Sequence, residues 1–161
     1  MELPIIMPIA EQQAMPVETL PKQTMPNPNV TDYGPNPFVT VVGDVAMCNE
    51  TFRTALWTGN HLQVTVMNIK PGDDVGLEVH PTTDQYITVA EGCGVTRMAS
   101  SKDGQYTQTP IFKGSGVFIP AGTWHNLVNT SNCDLKLISV YAPPEHPYGT
   151  IHKTKRDAEE C

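Results

Sequence analysis

Cysteine is scarce in this chain: four residues, at 48, 93, 133 and 161, with no CxxC pair among them. Disulfide frameworks are denser than this and thiolate zinc sites come in paired spacings, so neither organises the fold. The thiols are read as free, in a reducing cytoplasm. Long apolar runs are missing as well: no stretch approaches the ~20 residues a membrane helix requires. The opening MELPIIMPIA carries Glu2 where a secretory leader would carry Lys or Arg, and prolines interrupt it. A basic surface is also lacking. Net charge is −7 and no Lys/Arg cluster occurs before the last ten residues, which argues against nucleic-acid and anionic-membrane partners.

Proline and glycine are plentiful instead, fifteen and twelve in 161 residues. That composition favours many short strands and turns in one domain of modest core. The prolines are unevenly spread. Eight fall in residues 1–37, where they block helix and central strand alike, so this segment is expected to be an extended arm. Its Leu3, Ile5, Ile6, Met7 and Ile9 suit either a disordered tail or an arm lying across a partner subunit. From residue 38 to 161 the texture is that of a barrel with a C-terminal tail. Strands are expected at 38–42, 52–57, 62–69, 75–80, 85–90, 94–99, 105–112, 117–120, 125–129 and 135–141, with a turn or short helix at 44–49. Ser101-Lys102-Asp103-Gly104 reads as a hairpin turn. Thr154 with Asp157 three residues on resembles a capping box opening a short C-terminal helix. Short strands at this spacing mean a β-sandwich or a closed barrel.

The chemistry concentrates in residues 72–92. Glu78 and His80 are two apart, so on a strand they share a face, and Gln85 can join them from the next strand. The spacing Gly72-x5-Glu78-x-His80-x4-Gln85-x6-Gly92 resembles the first motif of the cupin superfamily, with Glu in the first histidine slot and Gln in the glutamate slot. Gly114, Pro120, Gly122, His125 and Asn129 meet the second motif, G-x5-P-x-G-x2-H-x3-N, at every position. The resemblance covers roughly residues 38–150 and is nearest to small bacterial cupins of the mannose-6-phosphate-isomerase-like type. It implies an all-β cupin jelly-roll barrel (a double-stranded β-helix), usually a homodimer. It also implies a metal site at Glu78, His80, Gln85 and His125.

Those residues are chemically coherent as ligands. Two imidazoles and a carboxylate suit one divalent transition metal (Fe, Mn, Zn, Ni or Co), with the Gln amide oxygen a weak fourth donor. The expected function is that of a metal-dependent enzyme on a small oxygenated substrate, sugar-like or dicarbonyl, of isomerase or dioxygenase type. The alternative is a non-catalytic, metal-dependent small-molecule binding, sensing or structural cupin. No general base is evident. Asn129 is read as a turn residue. His61, His146 and His152 lie outside both motifs and are read as surface residues, although the tail could bring the last two over the pocket mouth. Arg53 is read as a surface ion pair, with orientation of an anionic substrate as its other role. Tyr86 is expected on the face opposite Gln85, and Trp124 in the core or walling the pocket.

Overall fold

The structure, a computed structural model, describes residues 32–160. Most of the expected arm, residues 1–31, and Cys161 lie outside the described residues. Short strands make up most of the regular structure. After α1 (Val42–Cys48) come β1 (Arg53–Thr58), β2 (Gln63–Ile69), β3 (Asp84–Glu91), β4 (Cys93–Ala99), β5 (Thr107–Phe112), β6 (Gly116–Ile119), β7 (Trp124–Val128), β8 (Leu135–Ala142) and β9 (Ile151–His152). The capped helix α2 (Lys155–Glu159) closes the order, with the Thr154/Asp157 box formed. A six-stranded sheet, β6-β3-β8-β2-β1-β9, faces a three-stranded one, β5-β4-β7, and every ladder is antiparallel. The expected all-β jelly roll is what forms. No helix among the described residues is long and apolar enough to cross a membrane.

Alternation sorts the barrel's filling by chemistry. Cross-strand rows on β2, β8 and β3 place Met67, Leu137 and Val89 side by side, then Thr65, Ser139 and Ile87, then Gln63, Tyr141 and Gln85. The first row belongs to the main core with Ile69, Leu135, Ile111 and Leu127. Two residues further along each strand, the inward positions turn polar. One end of the barrel is therefore sealed hydrocarbon and the other a buried polar floor. Buried polar groups are tolerated only where hydrogen bonds or a ligand satisfy them, so the polar end is where a site belongs.

Two expected strands are not strands. Residues 38–41 are irregular, and α1 begins at Val42. The β-branched run FVTVV signals a strand only where a pleated partner awaits it. Here Phe38 stacks on Tyr33, centroids 4.1 Å apart, Val39 stays exposed, and Ala46 of α1 packs with Val66 and Ile138 on the outer sheet face. In place of a continuous ladder over 75–80, the segment 74–80 forms two isolated bridges to β7, Asp74 with Val128 and Glu78 with His125. Four residues on one side answer three on the other, and Gly76 at φ 97° absorbs the extra one. Residues 32–37 are held by Asp32, whose carboxylate accepts from Gly34 N, Thr58 N and Oγ1, and Gly149 N.

Candidate metal centre

The bulge at Gly76 sets the phase of the site. Val75 faces the core, and without the extra residue Glu78, three further on, would point to the opposite face. With it, Glu78 and His80 both face the barrel interior. Glu78 and His125 exchange backbone hydrogen bonds (2.9 and 3.0 Å) as direct antiparallel partners, which places their side chains together. His80 O accepts from Gly122 N at 2.8 Å, tying the end of the segment to the turn before β7.

The three side chains converge. Glu78 Oε1 lies 3.4 Å from both His80 Nε2 and His125 Nε2, and one donor atom from each residue falls within 4.8 Å of the others. All three atoms are buried without a hydrogen-bond partner. Donors at ~2.1 Å from one ion, separated by octahedral or tetrahedral angles, stand about 3.0–3.4 Å apart. The two Glu78–imidazole separations fit donors shared by one transition-metal ion. The outer ring nitrogens are engaged elsewhere: His125 Nδ1 sits 2.8 Å from Thr123 O and His80 Nδ1 3.1 Å from Glu145 Oε1. A ring that donates from Nδ1 to an oxygen presents an unprotonated Nε2, the tautomer a metal needs.

Gln85 is buried on the same polar floor. Its Nε2 donates to Ser139 Oγ at 2.9 Å, and its Oε1 is buried and unpartnered. Tyr86 points to the outer face, near Phe118, as parity requires. Trp124, the neighbour of His125, likewise faces away, with Lys102 Nζ 5.7 Å from its ring centroid. Asn129 is a turn residue: its Nδ2 donates to Ile69 O and Cys133 O, and its Oδ1 accepts from Ser131 N and Oγ. His61 is exposed.

Three surface expectations fail. Arg53 is buried at 4 % exposure, with its guanidinium 3.8 Å from Glu78 Oε2. His152 is buried opposite it in the β1–β9 ladder. His146 stands over Tyr141, centroids 5.1 Å apart, and Tyr141 in turn abuts His80 at 5.7 Å. The cause is the tail. Residues 143–150 fold back, and Gln63 clamps His146 by donating to its carbonyl and accepting from its amide. Arg53 opens β1 on the inward parity, which a strand at 52–57 already implies; a lone charge in a β run simply reads as surface by default. Glu145 belongs to no motif and reaches His80 only through the fold, so residue order gives no sign of it.

These contacts set the charges. Burial alone would raise the Glu78 carboxyl, but His125, His80 and the charge of Arg53 outweigh it and hold it well below the usual carboxylate range. Burial opposes protonation of His80, yet Glu78 and Glu145 raise its pKa overall. His146 is pushed down to about 3, by burial first and by Arg53 second.

Comparison with known proteins gives the family. The model of the Cupin domain family matches residues 65–141. The uncharacterized protein YrkC of Bacillus subtilis (strain 168) is 52 % identical over 127 residues, covering 79 % of this chain and 68 % of that one. The crystal structure of BH2720 from Bacillus halodurans superposes with a TM-score of 0.80 at 52 % identity, over 82 % of this chain and 100 % of that one. Capsular polysaccharide assembling protein CapF from Staphylococcus aureus superposes with a TM-score of 0.56 at 26 % identity, over 62 % of this chain and 30 % of its own. Motifs, barrel and relatives coincide on the same strands: the chain belongs to the cupin family.

Proposed function

We propose that this cupin binds one divalent transition metal (Fe, Mn, Zn, Ni or Co) through Glu78, His80 and His125, with Gln85 as a displaceable fourth donor. With it the protein acts as an enzyme of isomerase or dioxygenase type on a small oxygenated molecule. The observation that carries the reading is the trio of orphaned buried donor atoms, each of whose imidazoles has its other nitrogen engaged. Burying such a set with nothing to satisfy it is costly. When bound, the ion would polarise a carbonyl or neighbouring hydroxyls or, as iron, support redox chemistry. Glu145 and Thr123 hold the imidazole tautomers, Ser139 orients the Gln85 amide, and the tail at 143–150 roofs the polar floor against water.

The test is metal content by elemental analysis after purification and reloading, followed by a turnover panel of sugars and dicarbonyls with Fe(II) and with Zn(II). One ion per chain, lost in Glu78→Gln and His125→Ala, supports the metal reading. A folded wild-type protein that retains no ion refutes it. Ligand binding without turnover across the panel would support the non-catalytic alternative.

The reading includes a homodimer. In its support, the outer face of the large sheet carries an apolar groove of about 810 Å³ lined by Phe38, Val42, Leu56, Trp57, Tyr86 and Val140. Beside it, edge strand β6 exposes Phe118 at 74 %, and an open edge next to an apolar face suits pairing with a second copy. Sedimentation velocity should show a dimer for the wild type and a monomer for Phe118→Lys. The free, exposed Cys48, Cys93 and Cys133 accord with a reducing, cytoplasmic setting.

A further inference from the structure

Behind Glu78 lies a second group of unsatisfied polar atoms that the metal centre does not use. Arg53 Nε, His146 Nε2 and His152 Nδ1 are all buried without a hydrogen-bond partner. They are close together. Arg53 and His152 are direct partners in the β1–β9 ladder, and the His152 and His146 rings are 6.2 Å apart. The positive charge of Arg53 acts on both imidazoles and, after burial, helps to keep them neutral. Neutral imidazole is a hydrogen-bond donor at one nitrogen, so the cluster offers one fixed cation and two uncharged polar edges.

Among the described residues the guanidinium has no carboxylate within hydrogen-bond distance. Its contact is Glu78 Oε2 at 3.8 Å, beyond a hydrogen bond, while Glu78 Oε1 faces the two histidines. A buried, half-partnered guanidinium is costly, and native proteins keep one where a ligand completes it. The balance of charge points the same way. With a divalent ion bound, Glu78 and Glu145 cancel the ion's two charges, and Arg53 leaves one positive charge. Glu78 itself shows the reach involved, since its two oxygens span from the histidine pair toward Arg53.

We propose that Arg53, with His146 and His152, forms an anion subsite beside the metal centre. It takes a small monocarboxylate bearing a second oxygen on the adjacent carbon, whose carboxylate meets the guanidinium while the other oxygen faces the ion. This rests on the metal reading above and narrows its substrate class to acids. A neutral sugar or a diketone would leave the guanidinium unanswered.

The probes are glycolate and its neutral amide, glycolamide, titrated calorimetrically into Zn(II)-loaded protein at physiological ionic strength, with zinc content measured on the same samples. Glycolate should bind the wild type at least tenfold more tightly than glycolamide. Arg53→Gln should weaken glycolate tenfold or more while changing glycolamide less than threefold, and Arg53→Lys should restore part of the difference. His146→Gln, away from the metal ligands, should weaken glycolate severalfold with zinc content intact. Equal affinity for acid and amide in zinc-replete wild type, or undiminished glycolate binding by zinc-replete Arg53→Gln, overturns the subsite and leaves the metal reading standing. Wild type that holds no zinc refutes the metal reading itself, and the subsite falls with it. Because a carboxylate also favours the ion itself, an acid preference counts for the subsite only when it falls in Arg53→Gln or His146→Gln, whereas equal affinity for acid and amide in wild type overturns it even if the Arg53 variants do not fold.

Discussion

Replacing Glu145 separates a metal centre from a mere cluster of polar side chains. Its carboxylate touches the site only through His80, with Oε1 3.1 Å from Nδ1. In Glu145→Gln the amide oxygen can still accept the Nδ1 proton, so the tautomer is kept and the charge is lost. A hydrogen bond to a charged group contributes about 1.5–3 kcal/mol and a neutral one about 1. The difference, about 0.5–2 kcal/mol, is roughly two- to thirtyfold in metal affinity because 1.4 kcal/mol is a factor of ten. Glu145→Ala removes the acceptor altogether and should approach the hundredfold limit typical of such outer partners. The Glu145 side chain is 29 % exposed, which favours the lower end for the Gln variant. The assay is competition for Zn(II) against a chromophoric chelator, with thermal melting of the metal-free proteins alongside. The expected order is wild type, Gln, Ala, with melting temperatures of the metal-free forms within a few degrees. Identical zinc affinities in all three would refute the argument that Glu145 prepares His80 for a metal.

Three other outcomes are expected from single residues. Asn129→Ala deletes donors to two backbone carbonyls and an acceptor for Ser131; chemical denaturation should show a loss of about 2–4 kcal/mol. Gly76→Ala meets no atom within 4 Å but must hold φ at +97°, so it should cost about 1–2 kcal/mol and weaken zinc binding by disturbing the phase between Val75 and Glu78; unchanged zinc affinity would detach the bulge from the site. For pH, the His146 pKa is depressed from 6.5 to about 3 in the fold, so between those values the unfolded chain holds the extra proton. Its contribution is then complete above pH 6.5 and shrinks as pH falls. From pH 7 to pH 5 the metal-free protein should lose at most about 2 kcal/mol to this group, and His146→Gln should flatten that part of the stability–pH curve.

Most of the barrel is legible from residue order alone because strand alternation and turn chemistry are local. QVTVMNI, DQYITVAE and LKLISVYA declare their two faces by parity, and the glycine-marked turns between strands declare their ends. Parity along one strand pairs Glu78 with His80, and the resemblance to the two cupin motifs implies that His125 meets them. The expectations that failed depended on neighbours. FVTVV has strand composition but joins neither sheet: Phe38 stacks on Tyr33, and the helix beginning at Val42 packs on the outer face instead. Residues 75–80 show the right inward residues but not the bulge that keeps Glu78 in phase, because a one-residue mismatch exists only relative to β7.

The sequence by itself determined the class of fold and the shared face of Glu78 and His80, both consequences of short-range periodicity, and its resemblance to the cupin motifs implied that His125 joins them. Only the tertiary structure decided that Glu145 supports His80 and that half-buried His146 joins buried Arg53 and His152. Those meetings depend on a proline-rich tail folding back across 83 residues to Gln63. No local pattern encodes such a contact: its free energy comes from groups that are strangers in the chain and neighbours only once the barrel has closed.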